Sequence, residues 1–247
     1  MRLTVAGSGD AFGSGGRFNT CLHLETAKGT LLVDCGASAL ISLKARSLDP
    51  NRVDAIILSH LHGDHFGGLP FLLLDAQFLA RRDRPLLIAG PPGARARIDQ
   101  ALEVFFPRSS GNKWRFEWKV LEIELDRPTE VLGHLVTTTA VRHFSGAPST
   151  AVRLSDDDKT FAFSGDTEWV EGLIGVAEGA DLLVIECYGY SGTLAGHLTW
   201  EVLKGRLPEL RARQIMITHM NPSMLARRDE VRAAGAVMAE DGLVISL

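Results

Sequence analysis

Short apolar runs bounded by Gly, Pro, Asp and Ser recur along the whole chain. Runs of four to eight such residues between turn signals read as strands, and longer stretches with a period near 3.6 read as helices. Residues 2–7, 20–26 and 30–34 are therefore predicted strands joined by Gly-rich or short polar turns, with a short helix over 37–46. The run DAIILS, residues 54–59, is apolar throughout, as in a strand buried on both faces. Residues 68–79 have helical length, 86–89 form a strand, and 93–106 form an amphipathic helix behind a Pro-Pro start.

The second half resembles the first. Residues 116–125 and 134–141 alternate like exposed strands, and 151–154 with 160–164 read as a hairpin around the polar turn 155–159. A helix over 168–177, buried strands at 182–187 and 214–218, and a helix over 199–207 follow. A last helix over 223–234 and a short hairpin over 236–246 close the chain. No linker or low-complexity segment divides the halves. The chain reads as one α/β domain, 1–247, with two mixed sheets inside and helices outside in a four-layer αβ/βα sandwich. Periodicity by itself supports α/β with mixed sheets.

Composition narrows the class. Apolar residues make up 45% of the 247 and charged residues 23%, which excludes disorder, collagen and coiled coil as the main theme. A net charge of −4 gives no global basic field to gather nucleic acid. Cys21, Cys35 and Cys187 are scattered through apolar runs and are expected to be buried thiols rather than a disulfide framework. No apolar stretch has transmembrane length, and the N-terminus reads directly as strand and turn, so a cytoplasmic protein that does not engage membranes is expected. Charge-poor apolar runs leave room for a homodimer face.

Three of the eight histidines fall in His60-Leu61-His62-Gly63-Asp64-His65, directly after DAIILS. In an extended chain His60 and His62 point to one side, and a turn at Gly63 brings Asp64 and His65 round to the same space. Imidazole and carboxylate are ligands that zinc, manganese and iron accept. Further ligands are expected at other strand ends, where α/β sites form. His143, Asp166 and His219 each follow a buried apolar run as its first polar group with ligand capacity. Seven ligands suffice for two divalent ions with an open position for water.

HLHGDH, with His143, Asp166 and His219 downstream, resembles the metallo-β-lactamase superfamily over nearly the whole chain. The resemblance implies that His60, His62 and His143 hold one metal, that Asp64, His65 and His219 hold the other, and that Asp166 bridges them together with a hydroxide. True zinc β-lactamases usually lack the paired Asp-His and often use a Cys ligand, which no Cys here matches. Thioesterases and lactonases usually carry a TPGH-type segment, whereas this chain has TAVRHFSGAPSTAVRL. That segment is similar to the phosphodiesterase branch, which includes ribonuclease Z and small cyclic-nucleotide phosphodiesterases. The opening GSGDAFGSGGRFNT and the segment LLVIECYGYSGTLAGHLT are similar to the same branch.

From the branch, His197 is implied as an extra histidine near the scissile phosphate, with Glu186 orienting it or a metal ligand. Asp64 is implied to accept a proton from the hydroxide, and His197 to stabilise phosphoryl oxygens or protonate the leaving alkoxide. The long Gly/Pro-rich basic arm of ribonuclease Z has no counterpart. The expected function is a di-metal phosphodiesterase, with two divalent ions, zinc first and manganese or iron open. Its substrate is a small cyclic or short-oligonucleotide diester rather than tRNA, with no extended nucleic-acid surface. An ester, lactone or thioester hydrolase on the same site is the alternative, and a non-catalytic metal-binding module a third reading. Arg17, in the Gly-rich loop, is a candidate phosphate contact, and Tyr188 a candidate pocket wall. Tyr190 is a further candidate for the pocket wall, aromatic packing is the default for Tyr188, Tyr190 and Trp169, and His23 and His134 read as structural.

Overall fold

Alternation along the strands decides the layering. In a computed structural model describing residues 1–156 and 158–247, fourteen strands are found among the described residues. They are β1 Arg2–Gly7, β2 Cys21–Thr26, β3 Gly29–Val33, β4 Ala55–Ile57, β5 Leu86–Gly90, β6 Trp118–Glu122, β7 Thr129–Val131, β8 His134–Ala140, β9 Thr150–Asp156, β10 Lys159–Phe163, β11 Leu182–Glu186, β12 Ile215–Thr218, β13 Val237–Met238 and β14 Val244–Ser246. One sheet has the order β14-β1-β2-β3-β4-β5-β6 and the other β13-β12-β11-β10-β9-β8-β7. Each is antiparallel through its hairpins and parallel beyond: β3, β4, β5 and β6 run parallel in the first, and β10, β11, β12 and β13 in the second.

Leu31 and Val33, and Ala55 and Ile57, face a central core shared with Val152, Leu154, Phe161, Phe163, Leu182 and Val184 of the other sheet. The intervening Leu32 and Ile56 face the other way, onto Leu43, Leu69, Leu73 and Ile98 of the helices Ala39–Ala45, Leu69–Leu74 and Ala94–Phe105. Leu183, Ile185 and Ile217 pack outward on Leu173, Trp200, Leu203 and Val231. The result is the four-layer αβ/βα sandwich, with two mixed sheets inside and helices on both outer faces.

Several predicted elements are corrected. The closing hairpin 236–246 does not form: β13 pairs parallel with β12, whereas β14 crosses to the other sheet and pairs antiparallel with β1. Asp241 causes the crossing, because its carboxylate accepts from Ser8 N, Ser8 Oγ and Phe18 N, while Gly242 N donates to Val5 O. The helix predicted over 223–234 is two helices, Pro222–Leu225 and Arg228–Ala233. Arg227 breaks it with ψ of 24°, its guanidinium lying over the Tyr190 ring. The helix predicted over 168–177 begins at Gly172, and 116–125 contributes only β6. β7, unpredicted, is three residues long, too short for its alternation to register. The predicted hairpin turn 155–159 includes Asp157, which lies outside the described residues. No helix among the described residues is long and apolar enough to cross a membrane.

Candidate active site

The C-terminal ends of the parallel strands of both sheets converge on one cleft, and every ligand candidate follows one of those strands or β8. Beyond β4 the chain bends at Ser59 and runs to His62, the extended N-cap of a one-turn helix Gly63–Phe66 that carries Asp64 and His65. Backbone hydrogen bonds Cys35 N to His65 O, 2.6 Å, and Ala37 N to Gly63 O, 3.1 Å, fasten this turn to the end of β3. Gly36 permits the approach, since a Cβ there would stand 2.2 Å from Asp64 O. His219 directly follows β12 with φ of 58°, a left-handed conformation costly for a side chain this size, and its N–H donates to Ser8 O.

Two groups of donor atoms result, His60, His62 and His143 in one and Asp64, His65, Asp166 and His219 in the other. Within each group the atoms lie within 4.8 Å of one another. Asp166 Oδ2 lies between them, 3.9 Å from His60 Nε2 and His143 Nε2 and 3.3 Å from His65 Nε2 and His219 Nε2. His60 Nε2, His65 Nε2 and Asp166 Oδ1 are buried with no hydrogen-bond partner. Buried polar atoms are ordinarily satisfied, so orphaned donors converging on one space fit divalent ions. The outward nitrogens are held: His60 Nδ1 by Ser59 Oγ at 3.0 Å, His65 Nδ1 by Asp34 Oδ2 at 2.6 Å, and His143 Nδ1 by Gly196 O at 2.8 Å. Such partners set the tautomer that turns the other nitrogen to a metal.

The electrostatics agree. Burial holds His60, His62 and His143 below the usual imidazole range, in the neutral form that ligates. Burial opposes the charge on Asp64 and Asp166, but neighbouring imidazoles outweigh it and hold both carboxyls below their ordinary range. Against the same burial, Asp166 with Asp64 raises His65 and His219. Protons on those two rings thus balance the two carboxylates, and an ion would take their place.

Beside the groups, His197 Nδ1 lies 2.9 Å from Glu186 Oε1, and its ring stacks on His219 at 5.6 Å and meets the tilted ring of Tyr188 at 4.8 Å. Glu186 is fully buried and accepts from Thr167 N, Tyr188 N and Leu198 N as well. Three of its partners are backbone N–H groups, which can only donate, so this pocket suits a carboxylate even though burial pushes the carboxyl up. Burial lowers His197, but the Glu186 bond and charge outweigh it and raise the imidazole. A cleft of about 390 Å³ opens over these groups, with Phe12, Tyr188 and His197 in its walls.

Arg17 lies elsewhere: its Nη1 donates to Ser8 Oγ and Ala239 O, bracing the C-terminal crossing, and it does not line the cleft. Trp169 Nε1 donates to Glu171 and its ring lies under Arg206. His23 and His134 are buried in the sheets, His134 Nε2 meeting Thr26 Oγ1 at 3.1 Å. All three cysteines are buried and free. Sequence reasoning missed Asp34, whose carboxylate holds His65, Ser59 N and Ser59 Oγ. Its signal was present, since Asp34 ends the apolar run TLLVD just as Asp166 ends FAFSGD. It also missed Phe12 and Phe144, which have no periodic signature.

Comparison with known proteins places this geometry. The probable metallo-hydrolase YhfI of Bacillus subtilis is 27% identical over 89% of this chain and 87% of its own. Its crystal structure superposes with a TM-score of 0.78 over 99% of this chain and 98% of that one, at 25% identity. Ribonuclease Z of Anoxybacillus flavithermus is 26% identical over 90% of this chain and 87% of its own. Human short-form tRNase Z shares the fold, with a TM-score of 0.80 over 100% of this chain and 99% of that one, at 24% identity. Fold and site together define a metal-dependent hydrolase of the metallo-β-lactamase superfamily, in its ribonuclease Z-like branch. Within it, the chain belongs to the family described as Anti-Pycsar protein Apyc1, whose model matches residues 1–241.

Proposed function

We propose that residues 1–247 act as one phosphodiesterase unit holding two divalent ions and cleaving a small cyclic or short nucleotide diester. The observation that carries this reading is Asp166 Oδ2, set within 3.9 Å of two imidazole nitrogens from each ligand group. His60, His62 and His143 would hold one ion, Asp64, His65 and His219 the other, and Asp166 both. The all-nitrogen-and-oxygen donor set suits zinc first, and manganese or iron as well. Bound there, such ions supply Lewis acidity to a phosphoryl oxygen and lower the pKa of water to near neutrality.

The chain's own groups do the rest. Asp64 is a carboxylate at neutral pH and has a second oxygen to take a proton from the attacking water. His197 turns Nδ1 to the Glu186 carboxylate, which suits a proton on Nδ1 and raises the basicity of the ring, favouring a second proton on Nε2. That Nε2–H can stabilise charge on a phosphoryl oxygen or protonate the departing alkoxide. Tyr188 packs against the His197 ring and limits its rotation. The names of the relatives, ribonuclease Z among them, support phosphodiester chemistry. Against tRNA stands the net charge of −4. The ribonuclease Z alignment also runs over 286 residues against nine-tenths of this 247-residue chain, so that relative holds segments without counterpart here.

Release of nitrophenol from bis(p-nitrophenyl) phosphate by metal-reconstituted protein tests the reading, with Asp64→Ala as the blank. Metal-dependent turnover that the blank lacks is expected. Two bound metals without diester turnover would overturn it in favour of an ester, lactone or thioester substrate.

A further inference from the structure

Three consecutive residues beyond β10 reach three different parts of the site. Asp166 stands between the two ligand groups. Thr167 N donates to Glu186 Oε1 at 2.6 Å, the oxygen that also meets His197 Nδ1, and Thr167 Oγ1 accepts from Arg142 N at 3.1 Å. Glu168 N donates to Arg142 O at 3.1 Å. The backbone of Thr167 and Glu168 is therefore fixed on both sides, and the Glu168 side chain extends from it to another segment. Its Oε1 accepts from Gly196 N at 2.9 Å, and its Oε2 accepts from Arg142 Nη1 at 3.3 Å.

Gly196 is where the chain meets both a ligand and the candidate proton donor. Its carbonyl lies 2.8 Å from His143 Nδ1, and His197 is the next residue. With φ of 79°, and with a Cβ that would stand 2.9 Å from His143 Nδ1, this position takes only glycine without strain. Residues 190–198 contain no helix or strand, and Ser191, Gly192, Thr193 and Ala195 are exposed. The loop is closed at its base by the bridge between Gly189 and Thr199, and Gly192 N donates to Glu201 Oε2 at 3.2 Å. On the side facing the ligands, the Glu168 carboxylate supplies the tether. A carboxylate accepting from a backbone N–H makes a stronger bond than a neutral acceptor does.

We propose that Glu168 is a positioning residue, whose clasp on Gly196 sets the loop that gives His143 its acceptor and delivers His197 to the scissile diester. The proposal rests on the phosphodiesterase reading. Glu168 acts through the adjoining peptide, so its effect on rate depends on the presence of the His197 imidazole. Glu168 also lines a cleft of about 650 Å³ beside His62 and His143, where a direct contact with substrate would act without His197. The two roles are separable by experiment.

The test uses metal-loaded wild type, Glu168→Ala, Glu168→Gln, His197→Ala and the double variant Glu168→Ala/His197→Ala. Hydrolysis of bis(p-nitrophenyl) phosphate is measured on each, normalised to metal content, and exchange of the Gly196 amide hydrogen is followed by NMR. Glu168→Ala is expected to lower kcat about tenfold and to leave KM within about twofold. In the His197→Ala background the same substitution is expected to cost less than about twofold. Glu168→Gln keeps an oxygen for Gly196 N and is expected to retain most of the rate. The Gly196 amide should exchange faster in Glu168→Ala than in wild type or Glu168→Gln. An equal loss in both backgrounds, or a loss expressed in KM, overturns the positioning role in favour of direct contact. Glu168→Gln as slow as Glu168→Ala assigns the effect to the Arg142 ion pair and overturns the clasp. Full-rate turnover by His197→Ala overturns the proposal too. A wild type that hydrolyses no diester overturns the phosphodiesterase reading, whereas unchanged Gly196 exchange in Glu168→Ala overturns the clasp whatever the substrate.

Discussion

His65 Nδ1 lies 2.6 Å from Asp34 Oδ2, with both side chains fully buried. Asp34 directly follows β3 with φ of 60°, and its other contacts go to Ser59, whose hydroxyl in turn meets His60 Nδ1. One carboxylate therefore orients a histidine of each ligand group. Asn tolerates the left-handed backbone at this position but offers one acceptor where Asp has two. Asp34→Asn is expected to weaken metal binding by about 10–100-fold with the fold retained. Competition against a chromophoric chelator measures this, and unchanged affinity would remove the orienting role.

His197 and Asp64 separate chemistry from metal retention. His197→Ala is expected to lower kcat by about 10²-fold or more, while metal content stays at the wild-type level. Asp64→Ala is expected to lower both. Steady-state kinetics beside elemental analysis read the two effects, and full-rate turnover by His197→Ala would exclude His197 from proton transfer.

Metal removal bears on stability. At 100 times the dissociation constant, a ligand that binds only the folded state contributes about 2.7 kcal/mol. For a chain of this size that is roughly 5–10 °C in Tm. Chelation should lower Tm by about that amount, and zinc should restore it. The sign with pH follows from His65 and His219, whose basicity the neighbouring carboxylates raise, so that an ion competes with protons for the same nitrogens. Metal affinity therefore rises with pH, and the zinc-dependent Tm increment should be larger at pH 8 than at pH 6. An increment that does not change with pH would contradict this proton displacement.

Arg82 is a structural cation far from the chemistry. It is buried and donates to the carbonyls of Arg84, Asn51, Val53 and Pro85 at 2.6–2.8 Å, at the entry to β5 rather than at the strand ends that carry the site. Arg82→Met strands these carbonyls and is expected to cost about 3 kcal/mol or more in denaturant unfolding. Turnover per folded molecule should be unchanged. A cost below about 1 kcal/mol would mean that water replaces the guanidinium.

The amino-acid sequence by itself determined what is local. His60, His62, Asp64 and His65 lie within six residues, so one turn of chain is enough to bring them to the same space. Strand positions followed from alternation, because burial on one face or both is written residue by residue. His143, Asp166 and His219 were legible as polar residues ending apolar runs. Asp34 carries the same mark, and nothing in its run distinguishes a group that faces a metal from one that holds a ligand. Only the tertiary structure decided that β14 leaves β13 for β1, that Arg17 turns to Ala239, and that Phe144 stands beside His62. Each of these depends on contacts between segments tens to hundreds of residues apart. A strand's hydrogen-bonding edge, a guanidinium or an exposed ring has many partners it could satisfy, and packing of the whole chain selects among them.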